Sequence, residues 1–170
     1  MNKQEILDQL KIQKERVLEI LQNSDETKFY QPKGEKWSQA EHIEHLINSI
    51  KPLNLLFSLP KILMTWKWGK PNRGSRTYDD LVKRYLEKLA VRPFQGNNPF
   101  GPKKDKNYTK EQLISLFSSN YEKLAQKIEK GWTEEQLEKY LIPHPLLGKL
   151  TVREMLMFTA YHTQHHEKAL

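Results

Sequence analysis

The strongest constraint on the fold is a helical repeat of apolar residues that recurs in four long segments. Apolar side chains return every three or four positions in residues 3–22, 38–59, 109–131 and 151–170. This spacing is typical of a helix that buries one face, whereas a half-buried strand alternates apolar and polar residues. Four such segments, with no persistent alternation elsewhere, predict an all-α fold and specifically a four-helix bundle.

Capping signals place the starts of three of these helices. A Ser or Thr followed three residues later by Glu or Gln lets two side chains bond the free amides of a helix start. The pattern occurs at Ser38, Thr109 and Thr151. We therefore expect long helices to begin at these residues, with Pro52 as the point where the helix that starts at Ser38 would bend.

A long connection joins the second and third of these helices. It starts with an aromatic and basic stretch, Lys61 to Arg76, and continues through a short helix that Thr77 caps and that ends near Ala90. Residues 93–106 then form a loop rich in Gly, Pro and Asn. We predict a crossover connection that carries one short extra helix.

The absence of cysteine narrows the chemistry. Without thiols there is no disulfide framework, thiolate zinc finger, iron–sulfur cluster or cysteine nucleophile, so a metal would be held by His, Asp or Glu. The net charge of +7 is moderate, and most Lys residues are interleaved with Glu at helical spacing, which indicates a solvated face. A length of 170 residues is enough for one core, so we expect a single domain over residues 1–170.

The hydropathy pattern also indicates where in the cell the protein is expected. The first residues carry acids and amides where a secretory signal would have an apolar segment, and no stretch approaches the roughly 20 apolar residues of a membrane span. We expect a cytoplasmic protein with no membrane partner.

Two histidines lie one turn apart in the last helix. Val152, Met155, Thr159, His162 and His166 follow one another at spacings of three and four and form one inward seam. Histidines four apart on a helix can bind one metal ion together. The alternative is that each is a core histidine with its own hydrogen-bond partners. Two buried imidazoles would then need partners for four nitrogens and would repel each other on protonation, which favours a shared cation.

The second helix offers His42 and His45 as a third ligand. We place each residue at about 100° around the helix axis from the one before it. Measured from the centre of the apolar stripe, His42 then lies about 60° away and His45 about 120° away. Periodicity alone therefore mildly favours His42 and leaves His45 open.

Three segments resemble motifs of a known family. The segments Trp37 to Leu46, with its Trp-Ser pair, and Tyr161 to His166 are similar to the hallmark motifs of the DinB-like (YfiT-like) superfamily of metal-binding helical bundles. His144 to Thr151 resembles the subfamily called DinB-type two. The resemblance follows the helix order over nearly the whole chain. We expect His144 itself, between two prolines, to be structural.

The resemblance implies three histidine ligands. In that family the His eight residues after the Trp is a ligand, which corresponds to His45, and the His-x-x-x-His of the last helix corresponds to His162 and His166. On this ground we prefer His45 to His42, because a tilted helix can point a residue at the edge of its stripe into a cavity. His165 stands where the subfamily tends to have Arg, and we expect it to be exposed rather than ligating.

Such a site has a defined chemistry. Three neutral imidazoles leave a divalent ion its charge and at least one open position, and catalytic zinc uses this arrangement to lower the pKa of a water toward about 7. An exogenous thiol would be deprotonated in the same way. The resemblance implies both chemistries, because some members are similar to zinc-dependent hydrolases and others use low-molecular-weight thiols such as bacillithiol or mycothiol. We expect Zn or Ni, a small-molecule substrate, and either a hydrolase or a thiol S-transferase.

Two other functions stay open. The metal could only staple the bundle, with His42 or His165 as fourth ligand, or the chain could be a metal-free binding module. Alternatively, the stretch from Lys61 to Arg76 could contact nucleic acid or anionic lipid. We disfavour the latter and predict no nucleic-acid partner, because we expect Trp66 and Trp68 to cover the bundle while the five cations face water.

The sequence does not rank the candidates for a general base, which are Glu41, Glu44, Glu154 and Tyr161. Asn48 and Gln164 are candidates for groups that orient the ligands. Whether the bundle forms a homodimer also stays open.

Overall fold

The computed structural model describes residues 1–32, 34, 36–91, 99–103 and 108–170. Its elements are, in chain order, α1 (Lys3–Asn23), α2 (Glu26–Tyr30), α3 (Gln39–Leu56), α4 (Lys61–Trp68), α5 (Tyr78–Val91), α6 (Lys110–Gly131), α7 (Gln136–Lys139), β1 (Leu141–His144), β2 (Gly148–Thr151) and α8 (Val152–Glu167).

The four long helices form the predicted bundle. Helix α3 packs on α6, and α1 packs on both α6 and α8, so their apolar stripes share one core. Fully buried side chains come from every helix, among them Val17, Ile43, Phe117 and Leu156. The all-α class and the four-helix bundle are therefore confirmed.

The helix starts also lie where the capping signals place them. Ser38, Thr109 and Thr151 each accept a bond from the backbone amide three residues on, and the Glu or Gln at that position bonds back to the cap. Pro52 lies inside α3, which ends at Leu56 rather than at residue 59. Helix α8 ends at Glu167 rather than at the last residue.

The connection between α3 and α6 contains more helix than predicted. The expected short helix is α5, and Thr77 caps it through Asp80. The segment from Lys61 to Trp68, which was not predicted to be helical, forms α4, with Met64 as its buried anchor. Of the loop predicted over residues 93–106, only residues 99–103 fall within the described part of the chain.

A small hairpin precedes α8 and was not predicted. Strands β1 and β2 are antiparallel, with Leu141 opposite Thr151 and His144 opposite Gly148. The ring nitrogen Nδ1 of His144 accepts bonds from two backbone amides of the turn, those of Leu146 (3.1 Å) and Leu147 (3.0 Å). Strands of four residues are too short to show a period of two in the sequence. The structural role expected for His144 agrees with these bonds.

The expectation that Trp66 and Trp68 cover the bundle while the nearby cations face water is wrong in part. Trp66 is 84% exposed, whereas Trp68 is half-buried. Arg73 and Arg76 do not simply face water, since both bind Glu154, at 2.7 Å and 3.0 Å. The two arginines lie between α4 and α5, and they pair with the buried carboxylate of Glu154 on α8. This partner lies 78 or more residues further along the chain.

Glu154 is the point at which the crossover connection is tied to α8. Its side chain is 0% exposed and also accepts bonds from the backbone amides of Arg76 (2.9 Å) and Thr151 (3.0 Å). Burial alone would raise the pKa of this carboxyl, but the bonds from Arg73 and the two amides outweigh burial and lower the pKa. The charged form of Glu154 is therefore the native one.

Within the described residues, no helix combines the length and the apolar character that crossing a bilayer requires.

We expect the substitution Glu154→Gln to destabilise the fold by about 3 kcal/mol, because it leaves Arg73 and Arg76 without their buried counter-charge. The free energy of unfolding in urea at pH 7 measures this. Since the pKa of Glu154 is below its usual 4.5 in the folded protein, its contribution is present above pH 4.5 and is lost as the pH falls through the folded value. The matched control is Glu135→Gln, which removes an exposed pair with Lys139 and should change nothing measurable. Equal stabilities of the two variants would contradict this account.

Candidate metal centre

Helices α3 and α8 bring three imidazole rings together. The Nε2 atom of His162 lies 3.1 Å from the Nε2 atom of His45 and 3.1 Å from that of His166. One ring nitrogen from each histidine lies within 4.8 Å of the other two. The spacing of four on α8 places two rings on one face, perpendicular to each other with centroids 4.6 Å apart, and α3 supplies the third from across the bundle. The structure thus places together the three residues singled out in the sequence.

Hydrogen bonds on the outer side of the rings direct the ring nitrogens inward. Nδ1 of His45 donates to the carbonyl oxygen of Phe100 (2.9 Å), so its Nε2 atom carries a lone pair toward the other rings. Nδ1 of His166 lies 2.9 Å from Nδ1 of His42. When His166 supplies the proton of that bond, its own Nε2 atom also presents a lone pair to His162. This outer support is the arrangement that orients histidine ligands in metal sites.

Burial keeps all three rings neutral. It is the largest cause that lowers the pKa of His45, although the bond to Phe100 raises the pKa in part. Burial, followed by the neighbouring His166 and His45, holds the pKa of His162 well below 6.5. Burial, followed by His45 and His42, lowers the pKa of His166 to about 2. Neutral imidazoles with free lone pairs are what a cation requires of these residues.

The donor set fits a divalent ion of the size of zinc. Tetrahedral nitrogen ligands at 2.0–2.1 Å from zinc are about 3.3 Å apart, close to the two 3.1 Å separations here. Without a cation, the hydrogen-bonding requirements of the three ring nitrogens are not all satisfied. Nε2 of His162 faces two nitrogens and has at most one proton to donate, so one buried lone pair keeps no donor.

The two rival ligands occupy other positions. His42 contacts the site through Nδ1 of His166, and its ring packs edge-on against Trp37. His165 packs against Tyr85 and Tyr161, with ring centroids 5.9 Å and 6.1 Å away. The expectation that His165 is exposed is wrong, since α5 packs against α8 on this side and leaves the ring half-buried.

The carboxylates named as base candidates are engaged elsewhere. Glu41 bonds the Ser38 amide at the start of α3, and Glu44 accepts from the Lys103 amide (3.1 Å). Glu154 is bound by its arginines and precedes His162 by eight residues, about 12 Å along the helix. Tyr161 packs against other tyrosine rings.

Asn48 has an indirect role. Its side chain donates to the carbonyl oxygen of Gly101 (3.1 Å), the residue after Phe100. It therefore helps to hold the segment whose Phe100 carbonyl orients His45. Gln164, the other candidate for an orienting group, approaches Tyr78 instead, at 3.5 Å.

Sequence reasoning missed several neighbours of the site. The Trp37 ring is parallel to that of His166 (centroids 6.2 Å apart, 11° between planes), and Phe158 stacks on His162 (5.1 Å, 21°). The family motif contains Trp37 but indicates no contact for it. A backbone carbonyl such as that of Phe100 leaves no signal in a sequence, since every residue has one.

The three rings form part of the wall of a cavity of about 780 Å³. Apolar and aromatic side chains from α3, α4, α5, α8 and β1 make up most of the remaining wall. This size is in the range of pockets that enclose a small-molecule ligand, about 300–1,000 Å³. A cation on the three nitrogens would therefore lie at the edge of a chamber large enough for a substrate.

Comparisons with known proteins agree with the fold. The family model of the DinB superfamily matches residues 9–169. One similar solved structure is TT2238, a four-helix bundle protein, 18% identical with a TM-score of 0.59 over 98% of this chain and 96% of that one. Another is YfiT from Bacillus subtilis, described as a probable metal-dependent hydrolase with an unusual four-helix bundle topology, 17% identical with a TM-score of 0.64 over 97% of this chain and 81% of that one. At these identities the likeness shows a shared fold alone. No curated protein matches the sequence.

His144, which lines the same cavity, gives a pH-dependent prediction. Burial lowers the pKa of His144 to about 4, from the usual 6.5. Between these values an unfolded chain binds a proton that the folded protein does not, so the free energy of unfolding should fall as the pH drops. Between pH 6.5 and pH 4, the decrease in the free energy of unfolding should be about 2 kcal/mol smaller in His144→Gln than in the parent. Urea unfolding at several pH values measures it, and an NMR titration of the parent that places His144 near 6.5 would contradict it.

Proposed function

This chain belongs to the DinB superfamily, and from that membership we propose that it is a metal-dependent hydrolase whose divalent cation is held by His45, His162 and His166. The observation that carries the proposal is the convergence of three neutral Nε2 atoms on the wall of a cavity of about 780 Å³. The structural neighbour YfiT, called a probable metal-dependent hydrolase, supports it.

The ion supplies Lewis acidity when bound, which lowers the pKa of a water toward about 7 and polarises a carbonyl group. The protein's own residues prepare for it. Phe100 and His42 set the ring orientations from outside, and Trp37 and Phe158 pack on the ring faces. Apolar walls exclude bulk water, so electrostatic interactions inside the cavity are stronger than in solvent.

The count of available ligands favours catalysis over stapling. A closed structural zinc site needs four protein ligands, whereas a catalytic one has three and an open position. Among the described residues, only His45, His162 and His166 form a group able to hold an ion. The two candidates for a fourth ligand are His42 and His165. His42 contacts the Nδ1 atom of His166, and the His165 ring packs against Tyr85. Zinc or nickel as the metal, and an exogenous thiol as co-substrate, stay predictions from the sequence.

Metal content tests the ligand set. Protein prepared without a polyhistidine tag should contain one zinc or nickel per chain after loading and desalting. His45→Ala, His162→Ala and His166→Ala should each contain almost none, because two imidazoles retain the ion poorly. Inductively coupled plasma mass spectrometry measures the content. His165→Ala, on the same helix between two proposed ligands, is the matched control and should load like the parent.

The same series separates the rival ligand His42. We propose that His42 orients His166 and does not ligate, so His42→Ala should keep the ion with an affinity about 10–100-fold weaker. A loss as complete as in His162→Ala would instead make His42 a ligand. Equal metal content in the parent and all variants would end the proposal.

Hydrolysis is tested with p-nitrophenyl esters and p-nitroanilides of increasing acyl length. The loaded protein should release the chromophore, a chelator should abolish the release, and added zinc or nickel should restore it. His162→Ala should not exceed the rate without protein, while His165→Ala should keep measurable, metal-dependent turnover. A chain that binds metal stoichiometrically but hydrolyses none of these compounds would favour the thiol transferase or the stapled bundle.

A further inference from the structure

The cavity beside the three histidines offers few hydrogen bonds to a ligand. Most of the hydroxyls that line it, those of Ser49, Thr159 and Tyr121 but not that of Tyr85, are engaged with the protein. Ser49 donates to the carbonyl of His45 (2.9 Å) and Thr159 to that of Met155 (2.8 Å). The hydroxyl of Tyr121 is bonded to Thr163. Sugars and other highly polar molecules would lose their hydration there without replacement.

The apolar wall continues from the cavity onto the surface. Four large apolar residues belong to the cavity lining and are also exposed: Leu55 (67%), Leu59 (43%), Leu63 (43%) and Trp66 (84%). They lie at the end of α3, in the turn that follows and on α4. Exposed apolar residues that adjoin a pocket are typical of an entry route for an apolar ligand. We call these four residues the rim.

A positive charge lies beside the rim. Among the described residues that line the cavity, Lys67 is the only Lys, Arg, Asp or Glu, and it is exposed on α4 next to Trp66. Between Glu44 and Asp79 the sequence has six Lys or Arg residues and no acid. Arg73 and Arg76 are paired with Glu154, whereas Lys67 has no acid nearby in sequence with which to pair. The potential at the entrance therefore attracts anions.

We propose that the ligand of this cavity, and hence the substrate of the proposed hydrolase, is an amphipathic anion: an ester or amide with a long acyl or aryl body. The body lies along the apolar wall, the scissile bond lies beside the histidines, and the anionic group lies at the rim near Lys67. Hydrolysis adds one water across the acyl C–O or C–N bond, with hydroxyl to the acyl carbon and a proton to the leaving alcohol or amine. The substrate role rests on the proposed function, but binding of the body does not require the metal.

Calorimetric titration of the full chain with sodium hexanoate, octanoate and decanoate tests the ligand class. The chain is treated with chelator first, so that the carboxylate cannot coordinate an ion. Affinity should rise about fourfold for each added methylene, which is the burial of one CH₂ group expressed as a binding ratio. The heat-capacity change should be negative, as for apolar burial. Decanoate should bind more tightly than decyltrimethylammonium, because Lys67 places a positive charge beside the rim.

Two neighbouring residues of α4 provide a matched pair of variants. Leu63 belongs to the rim, whereas Ile62, the preceding residue, is 69% exposed and does not line the cavity. Leu63→Glu should weaken decanoate binding at least tenfold, while Ile62→Glu, with the same added charge, should weaken it much less. Lys67→Gln should weaken decanoate binding about two- to fivefold, as for an exposed ion pair, and leave binding of 1-decanol unchanged.

Three results would overturn the inference: no binding of decanoate, affinity that does not depend on chain length, or equal effects of Leu63→Glu and Ile62→Glu. Metal analysis of the same preparations keeps the two proposals distinguishable. Stoichiometric metal without decanoate binding would overturn this inference and leave the metal site standing. Chain-length-dependent binding in a protein that takes up no metal would support the ligand class and overturn the proposed hydrolase.

Discussion

The packing of α3 against α8 is the contact on which the candidate site depends, because it removes three imidazoles from water at one place. Burial of this kind is unfavourable for charged rings, so it lowers the pKa of each histidine and keeps the lone pairs free. The Nε2 atom of His162 lies 3.1 Å from those of His45 and His166, and the three nitrogens have too few protons to satisfy one another. The arrangement could therefore hold a cation, which supports the proposed metal site.

The supports of the site come from parts of the chain that are distant in sequence. The Phe100 carbonyl lies in the crossover connection, and Asn48 of α3 holds the residue after it. The start of the same connection is tied to the beginning of α8 by Glu154 and its two arginines. These bonds hold the connection against the bundle, and α4, which precedes both Arg73 and Phe100 in the chain, contributes to one wall of the cavity. The histidine site and the cavity are therefore held in place by the same segments of the chain.

The periodic elements could be predicted from the sequence and the local exceptions could not. Helices α1, α3, α6 and α8 follow from apolar spacing and capping residues, which act within a few positions of the chain. Helix α4 was missed because its apolar residues do not form one buried face: Met64 is buried while Trp66 is exposed. The hairpin was missed because β1 and β2 contain four residues each. The pairing of Arg73 and Arg76 with Glu154 could not be foreseen, since it is a long-range contact.

The sequence by itself determined that the chain is an all-α bundle and that His162 and His166 share one face, because both conclusions depend only on spacing along a helix. Only the tertiary structure shows which of the two rings, that of His42 or that of His45, lies against His162. Helical angles favoured His42, yet the ring of His45 meets His162 while His42 lies behind His166. The physical reason is that the direction of a side chain depends on the tilt and rotation of its helix against a neighbour, and these are set by packing across the core. The cavity has the same origin, since its walls come from segments that spacing along the chain does not relate.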